Sequence, residues 1–61
     1  MTVELINQTT WANIYGVYDK AGKPIGTVEA VLAGREAGSY FAYTLSGRYT
    51  KRDIMRFYRE R

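Results

Sequence analysis

Three features of the chain predict an α+β fold, with a small antiparallel sheet of three to four strands, connected as a meander and packed by one C-terminal amphipathic helix. Up to Leu45, short aromatic and β-branched runs alternate with turns built on glycine, asparagine and aspartate. After Ser46-Gly47 the composition turns basic and the apolar period lengthens from two toward about 3.6. The 61 residues hold one domain only, so residues 1–61 form a single two-layer unit, sheet against helix.

Each element follows from local chemistry. Residues 2–6 are extended, because Thr2, Val3 and Ile6 favour the pleated backbone, and Asn7-Gln8-Thr9-Thr10 is a polar break. Residues 11–18, Trp-Ala-Asn-Ile-Tyr-Gly-Val-Tyr, form the second strand. Asp19-Lys20-Ala21-Gly22-Lys23 then turns the chain, with Gly22 free to take a positive φ. Residues 24–33 read as a helical turn or as a strand. The hairpin turn before them, the internal Gly26 and the β-branched Thr27, Val28 and Val31 favour strand. A second turn at Gly34-Arg35-Glu36-Ala37-Gly38 precedes the strand over 39–45, whose alternation sets Phe41, Tyr43 and Leu45 on one face and Tyr40, Ala42 and Thr44 on the other. A helix is expected over 51–60. Thr50 is placed to cap it and Asp53 to complete a capping box. Ile54, Met55, Phe57 and Tyr58 share one arc, and Arg52, Arg56 and Arg59 the opposite one.

Composition removes several chemistries. A hydrophobic fraction of 46% and an aromatic fraction of 15% suffice for a packed core. There is no cysteine and no histidine, so disulfides, thiolate chemistry and the usual zinc ligands are absent. A domain this small buries only about 60% of its unfolded surface, and with no covalent or metal staple it needs either an efficiently packed core or self-association, of which a homodimer is the expected form. The N-terminus lacks a basic and apolar signal and no apolar run is long enough to cross a bilayer, which predicts a cytoplasmic chain without membrane contact. No cofactor is implied.

The chain is expected not to be an enzyme. It has no side chain for acid–base work near neutrality and no thiol nucleophile. The acids Glu4, Asp19, Glu29, Glu36, Asp53 and Glu60 are scattered, and Gly22-Lys23-Pro24-Ile25-Gly26-Thr27 holds the letters of a phosphate loop in the wrong order. No catalytic or metal-ligating residue is assigned.

Charge says more. Residues 48–61 hold six basic and two acidic residues, a net of +4, while the preceding residues hold three basic and four acidic, a net of −1. The total of +3 therefore comes wholly from the tail. Several domains contact phosphates through an outward arginine row on a helix, and the same row on a solvent face also serves simply to keep a small domain soluble. The phosphate reading makes the chain a binding module for nucleic acid, DNA ahead of RNA, with Arg52, Arg56 and Arg59 on phosphates and Arg48 and Lys51 beside them. Its rival is a protein-binding module, an inhibitor or adaptor of the kind mobile elements encode, acting through an aromatic sheet face or an edge strand. Trp11, Tyr40 and Tyr43 are the candidate aromatic anchors, because tyrosine and tryptophan dominate interface energetics.

Two phrases resemble known families. Tyr18 to Val31 looks like the strand-turn-strand phrase of PRC-barrel domains, which implies a small β-barrel used for protein contacts. Gly47-Arg48-Tyr49-Thr50-Lys51-Arg52-Asp53-Ile54, following a sheet, is similar to the arm-binding domains of tyrosine recombinases, whose sheet enters DNA.

Overall fold

The computed structural model describes all 61 residues and has four strands and one helix: β1 (Thr2–Gln8), β2 (Ala12–Tyr18), β3 (Pro24–Val31), β4 (Tyr40–Thr44) and α1 (Lys51–Arg59). Every neighbouring pair of strands is antiparallel and the order is β1-β2-β3-β4, a meander. β1 and β4 remain as edges, so the sheet is open and not the barrel implied by the Tyr18 to Val31 phrase. Asn7 and Gln8, expected in a turn, extend β1 by pairing with Ile14 and Asn13. The turn proper is organised by Thr9, whose hydroxyl accepts from the N–H groups of Trp11 (3.1 Å) and Ala12 (3.0 Å). β3 ends at Val31, two residues early, because the Gly34 and Gly38 turns, each with φ of 89°, begin to reverse the chain there.

The register sorts side chains into two faces. One carries the cross-strand rows Val3–Val17–Gly26–Thr44, Leu5–Tyr15–Val28–Ala42 and Gln8–Asn13–Ala30–Tyr40. The other carries Glu4–Gly16–Thr27–Tyr43 and Asn7–Ile14–Glu29–Phe41. α1 lies on the first face, chiefly over β3 and β4. Of the two alternating sets on β4, it is therefore Tyr40, Ala42 and Thr44 that turn toward the helix.

The core is small. Val17, Ile25, Val28, Ile54 and Tyr58 form it, with Val3, Tyr15, Ala42, Tyr49, Met55 and Phe57 packed around them. Ile25 and Val28 both enter it although strict alternation would separate them. The pairing slips between Val17 and Tyr18, leaving Ile25 without an opposite residue and swinging its side chain into the core. Ile54 meets the sheet at Gly26, where a built Cβ would lie 2.6 Å from both Ile54 Cδ1 and the Tyr43 carbonyl oxygen. Gly26 is the slot that lets the helix approach.

Two local devices fix the ends. Asp19 Oδ1 accepts from Ala21 N–H and Lys23 N–H, both at 2.9 Å, and Gly22 closes that turn with φ of 83°. Thr50 caps α1: its hydroxyl accepts from Asp53 N–H at 3.1 Å while the Asp53 carboxylate accepts from Thr50 N–H at 2.9 Å. The Thr50 N–H, then the Thr50 side chain and the Arg56 and Arg52 charges, hold the Asp53 carboxyl below the ordinary carboxylate range.

Candidate nucleic-acid interface

None of the nine lysines and arginines lies in a strand. Lys20, Lys23 and Arg35 occupy turns, Arg48 the β4–α1 connection, and Lys51, Arg52, Arg56, Arg59 and Arg61 the helix and its end. The sheet face away from α1 carries Glu4 and Glu29 and no cation. Positive charge thus gathers on the helix layer, and a weakly acidic, aromatic surface lies on the opposite side.

At about 100° per residue, Arg52, Arg56 and Arg59 fall within an arc of about 60° on the side of α1 away from Ile54. All three are exposed, as are Arg48 and Lys51. The only ion pair in the molecule joins Arg56 to Asp53 at 3.6 Å, across one turn, and the Arg56 guanidinium also stands 5.2 Å from the Phe57 ring. Arg48, Lys51, Arg52 and Arg59 have no acidic partner. Lys51 sits on the flank nearer the sheet, so the arginine row and its two neighbours wrap the helix rather than forming one line.

Arg61 behaves differently from the other tail arginines. Its guanidinium stacks 4.0 Å above the Tyr58 ring and 5.4 Å from Tyr15, and its Nη1 donates to the Tyr58 carbonyl at 2.6 Å. Burial pushes the Tyr58 hydroxyl up from its ordinary range. The sequence grouped Arg61 with the basic tail, yet its position one helical repeat beyond Ile54 already puts it on the apolar side of the wheel.

The aromatic candidates do not share one surface. Tyr43 lies on the face away from α1, beside Phe41, with its hydroxyl 3.4 Å from Glu29 Oε1. Tyr40 lies on the helix face, its ring 5.7 Å from that of Tyr58. Trp11 stands 67% exposed at the β1–β2 turn. The corrected picture is two aromatic surfaces, one of Phe41 and Tyr43, the other of Trp11 and Tyr40. Leu32, which sequence reasoning missed, belongs with the second: its N–H donates to the Trp11 carbonyl at 2.7 Å and its side chain is half exposed.

No group of three acidic side chains comes together, and the surface depressions are open ones lined by residues such as Met1, Asp19, Tyr49 and Phe57. No helix is long and apolar enough to cross a membrane. No protein-family model, curated protein or solved structure matches the chain.

Proposed function

We propose that this chain is a non-enzymatic module that binds nucleic acid through the exposed side of α1. Arg52, Arg56 and Arg59 contact phosphates, with Arg48 and Lys51 extending the contact at the N-terminal end of the helix. The observation that carries this reading is the segregation of charge: cations without acidic partners cluster on the helix layer, and the four strands contain none. A sheet that entered DNA would bring Glu4 and Glu29 against phosphates, so the helix is the better contact. Duplex DNA is favoured over duplex RNA because an α-helix fits the major groove of B-form DNA and not the narrow one of A-form RNA.

The test is a fluorescence-anisotropy titration of labelled duplex and single-stranded DNA and RNA at about 50 and about 200 mM salt. The wild-type protein is expected to bind duplex DNA and to weaken steeply with salt, since each neutralised phosphate contributes about 0.9 to the slope of log K against log salt. Arg52→Ala/Arg56→Ala/Arg59→Ala, folded by circular dichroism, should lose most of that affinity and most of the slope. Absence of binding at the lower salt overturns the proposal.

One observation favours a second reading. Phe41 and Tyr43 are exposed on the face away from the helix, a surface suited to a protein partner held by rings rather than charge. Binding through it would respond little to salt and would survive the triple substitution.

A further inference from the structure

Three surfaces are open to a partner: the basic side of α1, the Phe41–Tyr43 face of the sheet, and the part of the helix face that α1 leaves uncovered. The third is assembled by the register. Leu5 lies opposite Tyr15, Asn13 follows Tyr15 on the same side of β2, Tyr40 lies across from Ala30 in the next row, and at the ends of β2 and β3 Trp11 and Leu32 are joined by the Leu32 N–H to Trp11 carbonyl bond. Leu5, Trp11, Leu32 and Tyr40 are each about half exposed or more. None of these residues is charged.

The backbone of the exposed tryptophan is hydrogen-bonded on both sides. Thr9 accepts from Trp11 N–H and Ala12 N–H and donates through its hydroxyl to the Ala12 carbonyl at 3.1 Å, and Leu32 N–H fixes the Trp11 carbonyl from the other side. Such a turn fixes the backbone that carries the indole before any partner arrives, so less backbone freedom is lost on docking. An aromatic anchor with aliphatic neighbours is the composition of an interface centre.

We infer that this uncovered stretch of the helix face is a self-association surface, on which a second copy of the chain docks with Trp11 and Leu32 at the centre and Leu5 and Tyr40 around them. Charge selects the surface. A two-fold pairing brings like against like, which would oppose a row of arginines on the helix layer or Glu29 and Glu4 on the open sheet face, whereas the four side chains of this stretch are neutral and the one cation at its border, Arg61, is stacked on Tyr58 and Tyr15. Its size is adequate. The four side chains expose on the order of 500 Å², so two copies bury on the order of 1,000 Å² before any rim is added, where specific interfaces begin. The chain also has surface to spare: 4408 Å² is exposed, against roughly 4,000 Å² for an average monomer of its mass. This inference is independent of the nucleic-acid reading.

The test is sedimentation velocity from low micromolar to millimolar protein, with the emission of Trp11, the only tryptophan, followed over the same range. The expected result is a mass that rises from one chain to two and an emission maximum that moves to the blue in step. Trp11→Glu/Leu32→Glu, folded by circular dichroism, should stay at one chain throughout, while Phe41→Glu on the opposite face should still pair. A single-chain mass for the wild type at every concentration overturns the inference. So does a doubled mass with unchanged Trp11 emission, which needs no variant, or pairing abolished by Phe41→Glu but not by the double substitution.

Discussion

Gly26 and Gly16 sit on adjacent strands and are both crowded, yet a methyl group would cost very different amounts at the two. At Gly26 the added carbon meets the Tyr43 backbone carbonyl and the Ile54 side chain. The sheet cannot move without breaking the β3–β4 ladder, so α1 must lift. Gly26→Ala is expected to destabilise by about 1–3 kcal/mol or more, as overpacking does. At Gly16 the nearest atoms the carbon meets are those of the Tyr18 ring, which folds back over it on the face away from the helix, with the hydroxyl at 2.6 Å. That ring can swing into solvent, so Gly16→Ala should cost well under the Gly26 figure. Chemical denaturation of the two variants side by side measures the difference. Equal losses would mean that the Tyr18 ring is as firmly held as the backbone.

Helix α1 is nine residues long, too short to persist alone. Its stability comes from Ile54 and Tyr58 against the sheet and from the Thr50–Asp53 capping box. Thr50→Ala should cost about 1 kcal/mol in thermal or denaturant unfolding. The box also imposes a pH dependence. The Asp53 carboxyl titrates lower in the folded chain than unfolded, so its contribution is complete above the unfolded value and is lost as pH falls through the folded one. Asp53→Asn should therefore flatten the acid limb of the stability profile below about pH 4, the ordinary carboxylate range; an unchanged limb would refute that role. This element was legible in the sequence, because a hydroxyl residue followed by an acid three positions on and then a helical apolar arc is a local signal. The β4 faces were legible as two alternating sets but not as inner and outer. Both sets are aromatic, and the choice was made by the slip at Ile25 and by the Gly26 slot, features of pairing that no single segment encodes. The arginine row was readable from the wheel. That Arg61 leaves it for Tyr58, and that Trp11 acquires Leu32 as a neighbour, depend on contacts across strands.

For the whole molecule, what matters is that Glu4 and Glu29 lie on the sheet face opposite the helix arginines, in a body whose short extents are 19 Å. The screening length at physiological salt is about 8 Å, so a charge on the open sheet face is nearly invisible to a ligand on α1. Glu4→Gln/Glu29→Gln raises the formal net charge from +3 to +5, yet it should change nucleic-acid affinity by less than Arg52→Gln alone at physiological salt. Anisotropy titrations of both variants decide this, and a larger effect from the two glutamates would place the ligand on the sheet. Net charge thus describes this chain less well than the distribution of charge along it, since every cation lies outside the strands.

The meander order has a kinetic consequence. Each strand's partner is the segment next to it in sequence, so every ladder closes a short loop and none waits for distant parts of the chain to meet. β2 and β3 hold the central position, and the Asp19 carboxylate bonds two N–H groups of the turn between them. The sheet is assembled from neighbouring segments, whereas α1 reaches back across the chain as far as Tyr15. The helix that carries the basic row closes over Gly26, a slot walled in part by the Tyr43 carbonyl of β4, so its seat is complete only when β3 and β4 are paired.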